Sequence, residues 1–122
     1  MELPTRYEQS GDELLIASRD GDLDRVRYLI RKGADIHYEN GRPLILASFY
    51  GHLPIVKYLI KKGADVHKND DGALRVASEM NHFDIVKYLV GKGANVHAAD
   101  DDALKWARLN NNYMIVKYLE SQ

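Results

Sequence analysis

Several residue types in this chain recur at spacings that could support chemistry. His37, His67 and His97 form a ladder of imidazoles, one every thirty residues. Shared metal ligation would need donors about 2 Å from one ion. One histidine per repeat puts neighbours about 8–10 Å apart, a helix-packing distance, so the ladder reads as a set of loop-stapling imidazoles. Asp20-Gly21-Asp22-Leu23-Asp24 hints at a calcium loop, but the sixth and twelfth positions that need glycine and glutamate hold Arg25 and Arg31. Ser18, Ser48 and Ser78 recur at one offset, and three copies of one nucleophile do not make one active site. They read as small residues where helices approach. No phosphate-cradling glycine loop and no acid–base pair stands out. Tyr28, Tyr58, Tyr88 and Tyr118 could stack nucleic-acid bases. The formal charge of -1 argues against that, and the rings are expected half-buried with their hydroxyls in water.

What positions these residues is a repeat. Ile55-Val56-Lys57-Tyr58-Leu59-Ile60-Lys61-Lys62-Gly63-Ala64-Asp65-Val66-His67 has close copies starting at Arg25 and Ile85, and a shortened one at Ile115. Fixed-period self-similarity marks a repeat architecture. The expected units are 11–40, 41–70, 71–100 and 101–122, preceded by a leader over residues 1–10, lying on the first repeat or partly disordered.

Two helices are predicted in each unit. The first carries Leu14-x-x-Ala17 and its copies at Leu44, Leu74 and Leu104, three apart on one face. Gly21, Gly51, Asn81 and Asn111 follow, the residue types that best tolerate a left-handed helix-closing conformation. The second helix spans roughly 23–32, 53–62, 83–92 and 113–121, with Pro54 in a first turn and Asp24 and Asp84 at the positive end of the dipole. Gly33, Gly63 and Gly93 close it. Val26 and Leu29, with their copies, form its inward face. Trp106 aligns with Ile16, Leu46 and Val76, and is expected in the core between repeats. A helix pair this small cannot bury its apolar face alone, so stacking into a solenoid is predicted.

Composition is ordinary, with 45% hydrophobic and 29% charged residues. The net charge gives no case for nucleic acid or an anionic membrane, and no apolar run reaches the length of a membrane span. With no cysteine there are no disulfides or thiolate metal sites, which fits a reducing, cytoplasmic setting.

The run Gly-His-Leu-Pro-Ile-Val-Lys-Tyr-Leu-Ile-x-x-Gly-Ala-Asp-Val, from Gly51 to Val66, strongly resembles the ankyrin repeat, and the likeness extends from Gly11 to about Leu119. The resemblance implies an all-α solenoid of four stacked helix–turn–helix repeats, without catalysis or cofactor, that binds a protein through a concave face of first helices and loops. The period departs from the family's usual length of about 33 residues, being thirty. The Thr-Pro-Leu-His signature is also missing: Arg42-Pro43-Leu44-Ile45 is the nearest match. The β-hairpin fingers are therefore expected to be shortened or absent. The short unit resembles ankyrin arrays of giant DNA viruses, which would place the chain in host cytoplasm.

Offsets whose chemistry changes between repeats are candidates for recognition. On the first helices and loops they are Tyr38, Arg42, Ile45, Phe49, Tyr50, Lys68, Arg75, Glu79, Met80, Lys105 and Leu109. Phe49 and Tyr50 suit a binding hot spot, unless Phe49 packs on the preceding repeat. Glu120, in place of Ile30, Ile60 and Val90, together with Asn110-Asn111-Asn112 resembles a capped end, as do the acids from Asp12 to Asp24 at the start. A monomer is expected. The alternative is a structural or self-associating module, a piece of a longer array, or a designed scaffold; Trp106, Tyr113 and Met114 leave end-to-end association open.

Overall fold

The computed structural model describes residues 6–122, with side chains from Gln9 onward. Eight helices follow one another among the described residues: α1 (Arg6–Asp20), α2 (Leu23–Arg31), α3 (Tyr38–Phe49), α4 (Leu53–Lys61), α5 (Lys68–Glu79), α6 (Phe83–Gly91), α7 (Ala98–Leu109) and α8 (Tyr113–Glu120). They pair as four hairpins, and no strand occurs among the described residues. Of the expected leader, residues 1–5 lie outside the described residues, and Arg6–Ser10 are the first turns of α1.

Each hairpin turn is closed as the glycines and asparagines predict. Gly21, Gly51, Asn81 and Asn111 have φ of 79°, 83°, 64° and 58°. The next residue donates its N–H five positions back, as His52 N does to Ala47 O at 2.8 Å. Gly33, Gly63 and Gly93 close the second helices in the same way, with Ala64 N donating to Leu59 O at 2.9 Å. Otherwise orphaned helix-end carbonyls are thereby satisfied.

Where the fingers would stand, the chain makes one tight left-handed turn. Glu39-Asn40-Gly41, Asn69-Asp70-Asp71 and Ala99-Asp100-Asp101, near the starts of α3, α5 and α7, all have positive φ, so the regular right-handed part of each of these helices begins after them. A left-handed conformation costs a non-glycine residue roughly 1–2 kcal/mol, so something must hold these turns. His67 and His97 contribute: their Nδ1–H groups donate to Asp71 Oδ1 at 2.8 Å and Asp101 Oδ1 at 2.6 Å. Asp71 is buried and also accepts the backbone N–H of Asn95, at 3.1 Å, from the next loop. The imidazole staple is thus present twice. Gly41 stands where His37 would need a carboxylate, so that pair cannot form.

The core is one continuous strip running through all four hairpins: Leu14, Leu44 and Leu74 with the neighbouring alanines from the first helices, and Val26, Leu29 and their copies from the second. Successive first helices pack closely along their length, whereas successive second helices touch sparingly. Ala47, Ser48, Ala77 and Ser78 are fully buried at that close approach. Ser78 Oγ donates to Leu74 O at 2.8 Å, while the buried hydroxyls of Ser18 and Ser48 find no partner among the described residues. A stack tight on one side and open on the other curves toward its first helices.

Trp106 corrects an expectation. It is 38% exposed, and Ile16 at the same offset is 51% exposed. The adjacent Ala107 is fully buried, while the offset before it lies at the margin of the packing: its inner copies Leu46 and Val76 are only half-buried.

Both end faces carry an ion pair where inner repeats are apolar or small. At the start, Arg25 Nη2 meets Glu13 Oε2 at 2.9 Å; the inner copies of these positions are Ile55 with Pro43 and Ile85 with Ala73, all buried. At the other end, Arg108 Nη2 meets Glu120 Oε2 at 3.2 Å, in place of the buried serines and the half-buried Ile30, Ile60 and Val90.

Candidate partner-binding surface

The residues singled out for recognition divide into two groups. Tyr38, Lys68 and Arg75 belong to the packing between repeats. The ring of Tyr38 lies directly over Gly11, where any Cβ would collide with it, and its hydroxyl donates to Asp12 Oδ1 at 2.7 Å. The side chain of Lys68 covers Gly41 in the same way: a Cβ there would stand 2.8 Å from Lys68 Cβ. Arg75 donates to the carbonyls of Asn69 and Asp70 and to Asp102 Oδ2, all at 3.0–3.1 Å, and so ties the left-handed turn of its own repeat to the next. All three side chains are engaged in contacts within or between repeats.

The second group faces outward. Ile45 and Phe49 line a shallow groove of about 180 Å³ with Arg42, Leu46 and Asn69. Phe49 is half-buried and packs edge-on against Tyr50, ring centroids 4.9 Å apart. Beside it Tyr50, Met80 and Leu109 are exposed, at 48%, 42% and 69%. Three successive hairpins thus each place a large apolar side chain near the end of a first helix. The flanking charges are paired at the surface: Arg42 with Glu39 at 3.8 Å and Lys105 with Asp100 at 3.3 Å. In the first hairpin the matching positions hold the exposed pair Arg19–Asp20, at 2.7 Å. There the hydrogen bond from Arg19 holds the Asp20 carboxyl below its ordinary range. Glu79 is half-buried, and its backbone carbonyl accepts from Asn110 Nδ2 at 3.0 Å.

One set of functional positions was not assigned a role from the sequence. His52, His82 and Asn112 share an offset. Each reaches back one repeat: His52 Nε2–H to Arg19 O and His82 Nε2–H to Phe49 O, both at 2.8 Å, and Asn112 Nδ2 to Ser78 O at 2.8 Å and Glu79 O at 3.1 Å. A carbonyl can only accept, so each imidazole carries its proton on Nε2. These tethers fix the ends of the first helices that display Phe49 and Glu79. The signal was the coincidence of His, His and Asn at a thirty-residue step.

No three His, Asp or Glu side chains converge as a metal site among the described residues, and no helix is long and apolar enough to cross a membrane. The family model for ankyrin repeats, in three copies, matches residues 14–100. This chain belongs to the ankyrin repeat family. No curated protein matches the chain. Ankyrin repeats generally mediate protein–protein interaction and are typically non-catalytic. The ankyrin hairpins here are packed by the family's Gly-Ala-Asp-Val and Leu-x-x-Ala segments, and the left-handed turn replaces the finger.

Proposed function

We propose that this ankyrin domain binds a protein partner through its first-helix face, with Tyr50, Met80 and Leu109 as apolar anchors and the Phe49 groove beside them. One observation carries the reading: large exposed apolar side chains stand at the first-helix ends of three successive hairpins, Tyr50 and Met80 at one offset and Leu109 one residue before it, on the side toward which the stack curves. Scattered surface apolar residues need no explanation, but a row rimmed by paired charges has the make-up of an interface core. The ion pairs Glu13–Arg25 and Arg108–Glu120 favour a monomer over end-to-end association, since docking a second copy would desolvate them.

The test is comparative capture. The wild-type chain and a Tyr50→Ser, Met80→Ser, Leu109→Ser variant are used as baits, with circular dichroism and melting measured on both. A protein retained by the wild type and lost by an equally stable variant supports the reading. Equal retention by both baits refutes it.

A further inference from the structure

The second-helix face carries a charge pattern that the net charge hides. Residues 23–32, 53–62, 83–92 and 113–122 hold ten of the 17 lysines and arginines and three of the 18 acids, a net of +7 that leaves −8 for the rest of the chain. The two faces also differ in pairing. On the first helices Arg19, Arg42, Arg75, Lys105 and Arg108 each meet a carboxylate and Lys68 does not, whereas among the described residues only Arg25 of the second-helix cations meets one. Among the described residues, Arg27, Lys57, Lys61, Lys62 and Lys92 meet none. Four of these five lie on tyrosines instead. Arg27 and Lys62 stand over the ring of Tyr58 at 5.6 and 5.7 Å, and Lys57 and Lys92 over Tyr88, both at 5.5 Å. Arg27 and Lys57 each reach forward to the tyrosine of the next repeat, so the cations form rungs that the stack itself orders. A ring face attracts a cation without neutralising it. The result is a groove of about 450 Å³ lined by Arg27, Lys57, Lys61, Lys92 and the two tyrosines, with no acid on its walls.

We propose that this groove is a second docking surface, for an extended acidic polypeptide segment. Charge complementarity selects the ligand class. Spacing selects the polypeptide: packed helices lie about 8–10 Å apart, and a polyproline II segment advances about 3.1 Å per residue with about three residues per turn, so every third side chain of an acidic segment faces a new rung. Single-stranded nucleic acid fits less well, because each tyrosine face it would stack on already carries two cations.

The experiment is fluorescence anisotropy with a labelled polyglutamate peptide long enough to span three hairpins, run beside oligothymidine of equal charge and phosphatidylserine vesicles. The peptide binds, binding weakens as salt is raised, and Lys57→Glu with Lys92→Glu weakens it about tenfold or more. Lys105→Glu, on the other face, changes it little, and all variants melt with the wild type. No binding of the peptide, equal weakening by Lys105→Glu, or tighter binding of the oligonucleotide or vesicles would each overturn the proposal.

Discussion

The Nε2–H of His82 donates to the carbonyl of Phe49 at 2.8 Å, one hairpin back, while its ring fills the space in front of Gly51. A Cβ on Gly51 would lie 2.6 Å from that ring. His52 stands in the same relation to Gly21, at 2.7 Å. In the next step Asn112 replaces the histidine and Asn81 the glycine. A smaller donor leaves room for a side chain at the left-handed position.

These two residues are therefore expected to be coupled. His82→Ala should destabilise the chain by about 1–2 kcal/mol, a lost hydrogen bond to an otherwise orphaned carbonyl. Gly51→Ala should cost more, since it adds the collision to a positive φ of 83°. In the double variant the collision is gone, so the two costs should sum to more than the measured total. A double-mutant cycle in urea reads this directly, and strict additivity would mean that the ring does not occupy that space.

Core and surface should separate cleanly. Leu59 is fully buried, and Leu59→Ala is expected to cost about 2–5 kcal/mol. Tyr50→Ala, at a residue 48% exposed, should stay within about 0.5 kcal/mol. Chemical denaturation of both variants checks the contrast, and a large loss for Tyr50→Ala would return that ring to the core.

The single tryptophan reports on its own placement. With Trp106 at 38% exposure, acrylamide should quench its emission readily in the folded state. Strong protection, with emission shifted to the blue, would restore the buried placement expected from its offset.

The two end hairpins each carry an exposed ion pair where the inner hairpins are apolar or small. Arg108→Ser with Glu120→Ile makes one end resemble an inner repeat; Glu13→Ala with Arg25→Ile does the same at the other. A chain carrying all four changes presents two complementary faces that do not close on themselves, so it should grow into head-to-tail assemblies. Sedimentation across concentrations checks this. A variant that stays at the mass of one chain shows that these ion pairs do not keep the ends apart.

The hairpins, their closing residues and the inward faces of α2, α4 and α6 were legible because each repeat supports the reading of the others. Gly21 and Asn81 could be taken as left-handed, and Val26 and Leu29 as core, on local physics alone. The candidate site was less legible. The change from Tyr38 to Lys68 looked like recognition, yet each side chain covers a glycine one repeat back, Gly11 and Gly41, so both are packing positions. A free position differs from a matched pair only once it is known which residues face each other. Trp106 misled for a related reason: its offset shares a helix with the core, but exposure depends on which neighbouring helix reaches it. The rungs over Tyr58 and Tyr88 were hidden in a net charge that averages two opposite faces.

The most direct test of the central claim is photocrosslinking from the first-helix face. A benzophenone amino acid placed at Tyr50 should form an adduct with a protein partner in a native extract, and the same group at Asp24 on α2 should not form that adduct. An identical adduct from both positions, or one from Asp24 alone, would contradict a partner seated on the first helices.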